Sequence, residues 1–176
     1  FVGHSNGGFM SYRMACDHAD AIAAVVSISG ATYDDVADCA PVRPVSTHEI
    51  HGTSDAVIQY GGGTLPGADG PYPGATATAA TWAAYNGGEG SPVALDPFDG
   101  LDGLPGDEAG VERYALGCSG AVTELWTVNG GPHSPVINDT LRDRVIAFLV
   151  DAGNRIFTDG FETGSTSAWS SSVGEP

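Results

Sequence analysis

The chain has 176 residues, 41% hydrophobic and 9% aromatic, enough for one domain with a core and ordinary for a globular protein. Its 22 acidic side chains against six basic ones give a net charge of −16, a surface that repels nucleic acid and anionic membranes. All six basic residues are arginines, a bias of composition, and Phe1 is not an initiator methionine, so the chain reads as a fragment or a processed product. No apolar run approaches the roughly 20 residues that span a bilayer.

Phe1-Val2 is the stub of a strand, and Gly3-His4-Ser5-Asn6-Gly7 follows in the spacing G-x-S-x-G. A serine hydroxyl attacks when it stands exposed at a sharp strand-to-helix turn, and this pattern builds such a turn. A Cβ at Gly3 or Gly7 is expected to collide with it. The helix that follows carries Phe9, Met10, Tyr12, Arg13 and Met14 and fades near Asp17-His18. Its positive end and unpaired N–H groups face the site, which makes the Asn6 N–H an oxyanion donor. Ala23 to Ser29 is an unbroken apolar run ending at Gly30, the mark of a strand buried on both faces of a parallel sheet.

Residues 32–44 read as a loop punctuated by Pro41 and Pro44, and Val45 to His51 as a second strand that leaves through Gly52-Thr53-Ser54-Asp55. Tyr60 to Gly74 is a Gly/Pro-rich surface loop, Ala75 to Tyr85 a helix closed by Asn86-Gly87-Gly88, and Gly90 to Gly110 an acidic loop. Strands follow at Val111 to Leu116 and Val122 to Val128, then the turn Asn129-Gly130-Gly131-Pro132-His133. The last helix runs from an Asn138 N-cap to about Asp151, with Ile137, Leu141, Val145, Phe148 and Leu149 as its apolar stripe. Strands alternating with helices give an α/β class with a largely parallel sheet. Residues 1–152 form the catalytic part, and the Ser/Thr/Gly-rich residues 153–176 are an appended tail.

Ser5, Asp55 and His133 occur in the chain order of an α/β-hydrolase triad, and each lies just past a predicted strand. Ser5 is the expected nucleophile and His133 its base, with Asp55 orienting the imidazole. His4 lies inside the elbow, where it lines the pocket or packs beneath it. His18 ends a helix, His48 is expected as a hydrogen-bonded core residue, and His51 as structural. Trp82 is a candidate substrate contact, although Trp82 and Trp126 also suit a core. The histidines have no metal-site spacing, and Asp96, Asp99, Asp102, Asp107 and Glu108 do not match a calcium loop, so no metal and no cofactor are expected. Cys16, Cys39 and Cys118 are an odd set; Cys16 and Cys39 are either a disulfide or two small buried residues.

At these residues the chain resembles the esterase/polyhydroxybutyrate depolymerase family of secreted α/β-hydrolases. The stretches that carry the resemblance are GHSNGGFMSYRMAC, CAPVRPVSTHEIHGTSDAVIQYGGG, TWAAYNGG and VERYALGCSGAVTELWTVNGGPHSP, so it covers Phe1 to about Leu149. It implies an α/β-hydrolase fold, an extracellular serine esterase working through Ser5, Asp55 and His133, an ester or polyester substrate and no obligate protein partner. It also favours a Cys16–Cys39 disulfide. Gly88 stands where the family commonly has a cysteine whose partner would match Cys118, and Ser134-Pro135-Val136 replaces a Thr-Trp-Pro segment. The family's early strands and second oxyanion donor have no counterpart here, which predicts that this chain alone folds poorly or is nearly inactive. A serine peptidase of the same fold and a non-catalytic binding module are the alternatives.

Overall fold

The computed structural model describes residues 1–67, 70–88, 91–114 and 120–155. In chain order they form β1 (Val2–His4), α1 (Asn6–Asp17), β2 (Ala24–Ile28), a 3-10 turn (Val36–Asp38) and β3 (Ser46–Gly52). Next come β4 (Gly62–Thr64), β5 (Pro71–Pro73), α2 (Ala75–Tyr85), β6 (Val93–Phe98), β7 (Ala109–Arg113), β8 (Thr123–Val128) and α3 (Asp139–Arg155). Six strands make one sheet in the order β1-β2-β3-β8-β7-β6.

The sheet is mixed rather than largely parallel. β1, β2, β3 and β8 pair in parallel, while β7 joins β8 and β6 joins β7 in antiparallel fashion. The reason is connection length: among the described residues no helix intervenes between β6, β7 and β8, and a short link returns the chain antiparallel. β6 falls in the segment expected to be a loop. It is an outer strand exposed at five of its six positions, and its register shifts between Leu95 and Phe98, around Pro97. An edge strand of that kind carries no hydrophobic alternation to read. The loop expected over 60–74 likewise contains a small hairpin, β4 with β5.

The sheet is sandwiched. On one face α3 covers Val26, Ile50, Trp126 and Val128 with Leu141 and Val145. On the other, α1 packs Tyr12, Ala15 and Cys16 with Val25, and α2 packs Ala75, Ala79 and Ala83 on Leu125. Neighbouring strand residues therefore serve opposite layers, as the twofold period of a strand dictates. Asn86, at the end of α2, accepts from the Val45 N–H and donates to the Val45 carbonyl, at 3.0 and 2.9 Å, which fixes α2 to the start of β3.

Asn138 caps α3 by accepting the Leu141 N–H at 3.0 Å. Ile137 precedes the helix and is 41% exposed, so it drops out of the apolar stripe. The helix passes residue 152 and ends at Arg155. Cys118 and the tail from residue 156 lie outside the described residues. Cys16 at the end of α1 and Cys39 after the 3-10 turn are joined as a disulfide, with Cα atoms 5.6 Å apart.

Candidate active site

The parallel strands β1, β3 and β8 end on the same edge of the sheet, and each hands the chain to a turn that presents one polar side chain. Ser5 follows β1, caps α1 and adopts φ 55°, ψ −121°, a left-handed conformation rare for any residue with a Cβ. The turn is tight because Gly3 lies under it: a Cβ there would come within 1.9 Å of the Gly7 carbonyl oxygen. Gly7 itself has open space, contrary to the collision expected at that position. The glycine that close packing does require is Gly8, whose Cβ would meet Ser27 Oγ at 2.6 Å and Gly30 Cα at 3.0 Å.

The turns after β3 and β8 are stitched together. The Thr53 N–H donates to the Val128 carbonyl, the Ser54 N–H to the Gly131 carbonyl, and the Gly130 N–H to Thr53 Oγ1. A Cβ on Gly52 would stand 2.0 Å from the Gly131 oxygen, so only glycine allows this approach. The outcome is a continuous chain of side chains: Ser5 Oγ lies 3.0 Å from His133 Nε2, and His133 Nδ1 lies 2.8 Å from Asp55 Oδ2. Asp55 Oδ1 accepts the Val57 and Ile58 N–H groups at 2.8 and 2.9 Å. Burial works against ionising Asp55, but the bonds from His133, Val57, Ile58 and the Ser29 hydroxyl outweigh it and hold the carboxyl below its ordinary range. Such a chain can activate a serine hydroxyl.

α1 begins at Asn6, so its first-turn N–H groups lie beside Ser5. His4 is exposed; its Nε2 sits 2.6 Å from the His133 backbone carbonyl, and the two rings are 5.0 Å apart. His4 thus braces the turn that carries His133. Trp82 does not face any substrate: it is fully buried, stacks on Tyr12 at 5.5 Å and donates from Nε1 to Thr32 Oγ1 at 2.9 Å. An alanine-rich helix has little else with which to fill the space over the sheet, and the tryptophan takes it. His48 is buried as expected but not hydrogen-bonded: among the described residues neither ring nitrogen has a partner, and the ring lies 3.9 Å from Trp126 and 4.9 Å from Phe148. Among the described residues no group of three or more His, Cys, Asp or Glu is arranged to hold a metal ion. Glu108 instead accepts the Gly100 and Leu101 N–H groups and shapes its own loop.

Sequence reading missed the layer behind Asp55. His51 is buried; its Nδ1 meets Glu49 Oε1 at 2.9 Å, and its Nε2 meets the Ile58 carbonyl at 2.8 Å and Asp55 Oδ2 at 3.6 Å. Glu49, wholly buried, also accepts from the Tyr12 hydroxyl at 2.9 Å. The available signal was Glu49 itself, a carboxylate in the middle of a strand flanked by other strands, where a charge requires partners.

The chain is similar to esterases. It is 33% identical over 139 residues to feruloyl esterase B of Piromyces equi, covering 76% of this chain and 24% of that protein. It is 30% identical over 139 residues to feruloyl esterase D of Neurospora crassa, covering 78% of this chain and 40% of that protein. The chain thus spans between a quarter and two fifths of the length of these curated relatives. No protein-family model matches it.

Proposed function

We propose that this chain carries the catalytic triad of a serine carboxylic-ester hydrolase on an α/β-hydrolase fold. The observation that supports it is the unbroken path Ser5 Oγ–His133 Nε2–Asp55 Oδ2, with steps of 3.0 and 2.8 Å, set on the ends of three parallel strands. His133 takes the Ser5 proton on Nε2 as Oγ attacks the ester carbonyl, and Asp55 holds the Nδ1–H tautomer and stabilises the imidazolium. The Asn6 N–H, at the positive end of α1, stabilises the tetrahedral oxyanion. His133 then protonates the leaving alcohol, and water enters by the reverse steps to release the acid from the acyl-enzyme.

The substrate is a feruloyl or acetyl ester of plant polysaccharide, or a hydroxyalkanoate polyester. Resemblance to feruloyl esterases supports the first. An apolar cleft of about 230 Å³ opens beside Asn6, lined by Phe9, Met10, Ala31 and Tyr33 among others, and suits an aromatic or short acyl group. A larger cleft on the α3 face, with Trp126, Phe148 and Arg113 in its wall, includes none of the three residues. The Cys16–Cys39 bond supports an extracellular location, since disulfides persist in oxidising compartments. Residues 156–176 are proposed as a tail outside the catalytic part.

The test is hydrolysis of p-nitrophenyl acetate, p-nitrophenyl butyrate, methyl ferulate and a chromogenic peptide, with Ser5→Ala as control and intact mass after phosphonate labelling. Ester turnover and one adduct, both lost in Ser5→Ala with rates falling by about 10⁴-fold or more, is the expected result. Peptide cleavage in preference to esters would assign a peptidase. An absence of both turnover and adduct in the wild type would leave an inactive fragment and a binding module, and the same assay on the full-length protein separates the two.

A further inference from the structure

The proton count behind Asp55 is fixed by its acceptors. The Ile58 carbonyl can only accept, so His51 Nε2 carries a proton. Nδ1 and Glu49 Oε1 stand 2.9 Å apart, and two lone pairs at that distance would repel, so a second proton lies between them. The other Glu49 oxygen accepts the Tyr12 hydroxyl at 2.9 Å, which favours the carboxylate. His51 Nε2 points to within 3.6 Å of Asp55 Oδ2, the oxygen that also receives His133 Nδ1, which favours the imidazolium.

We propose that Glu49 and His51 form a buried ion pair that positions Asp55, placing a second imidazolium against the carboxylate that serves His133. The inference rests on reading Ser5, His133 and Asp55 as a hydrolase triad. Asp55 is thereby shared between two rings, one permanently charged and one that takes and returns a proton. The charged and titratable groups facing the pair are Tyr12 from α1, Asp55 from the turn after β3, and Tyr60, whose ring lies 5.7 Å from His51 and whose hydroxyl bonds Thr127 of β8. Burial pulls His51 down, but the Glu49 carboxylate, with the Ile58 carbonyl and Asp55, holds its proton more firmly than in free histidine. Burial likewise pushes Glu49 up, against its bonds to His51 and Tyr12. The pair thus keeps its proton near neutrality, where the triad has to work.

The experiment is imidazole ¹⁵N NMR of the histidine-labelled chain across pH, with Glu49→Gln and Tyr12→Phe beside the wild type. The wild type should show both His51 ring nitrogens protonated at pH 8. In Glu49→Gln, which keeps the shape of the side chain, His51 should fall to a single proton. The positive charge beside Asp55 is then lost, and the His133 midpoint should rise by about one pH unit. Tyr12→Phe should move it the same way by less and keeps the test available if the first variant does not fold. Where ester turnover is present, the acid limb of kcat/KM should follow His133 with KM unchanged, a shift that loosened packing would not produce. A singly protonated His51 in the wild type, or a His133 midpoint unmoved in both variants, overturns the proposal. Loss of the hydrolase reading would appear separately, as turnover insensitive to Ser5→Ala.

Discussion

His48 and Glu49 are adjacent on β3 and face opposite layers; the carboxylate is bonded at both oxygens and the imidazole at neither nitrogen. His48 therefore resists protonation: burial, helped by the positive charge of Arg113, lowers its pKa to about 3. Unfolded, it titrates near 6.5. Between these values the unfolded chain binds the extra proton, so this residue costs about 1.4 kcal/mol of stability for each unit that pH falls, and nothing above about pH 6.5. Replacing it by leucine, which needs no partner between Trp126 and Phe148, should flatten that slope. Urea unfolding at pH 4.5 and 7.5 checks it: the stability lost between the two should be smaller in His48→Leu by about 2–3 kcal/mol. Periodicity made the burial of His48 legible. The absent partners were not, because they depend on which side chains α3 lays across the sheet.

At the scale of elements, what was legible was what local pattern controls. β2 is a run of apolar residues broken only by the buried Ser27, α2 lies between a glycine and Asn86-Gly87, and both have the expected extent to within a residue or two. Among the described residues β6 is held by pairing on one side only, and β4 and β5 are three residues each, so neither has a pattern of its own. The placement of Ser5, Asp55 and His133 was legible because each sits in a glycine turn after a strand. Which glycines are indispensable was not, since that depends on how closely elements approach. Gly8 and Gly30 let α1 settle against the end of β2, whereas Gly7 faces open space. Gly8→Ala should lower stability by about 2 kcal/mol or more through the enforced shift of α1. Gly7→Ala should instead raise it by up to about 1 kcal/mol through helix propensity. Denaturant midpoints of the two variants decide the contrast, and equal losses would refute it.

For the molecule as a whole, the disulfide binds α1 to the loop that precedes β3, closing a segment with a sequence separation of 23. Cross-linking a loop of that size removes entropy from the unfolded chain and stabilises the fold by about 3 kcal/mol. Cys16→Ser with Cys39→Ser should show that loss in equilibrium unfolding, and adding a reductant to the wild type should reproduce it. The bond lies at the far end of α1 from Ser5, so the double variant should keep its Ser5–His133 geometry and lose stability alone.

Ser5 and His133 are separated by 128 positions, and His4 holds the carbonyl of that same histidine. The two residues thus fasten β1 to the turn after β8, the first and last strands among the described residues. Contacts so distant in sequence carry a large loop entropy and form only once the intervening strands have paired. If Ser5 is the nucleophile proposed above, it is therefore inert on any partly formed chain. Its reactivity is a gauge of completed assembly: a nascent or misassembled molecule presents a serine, but not one with a base in reach.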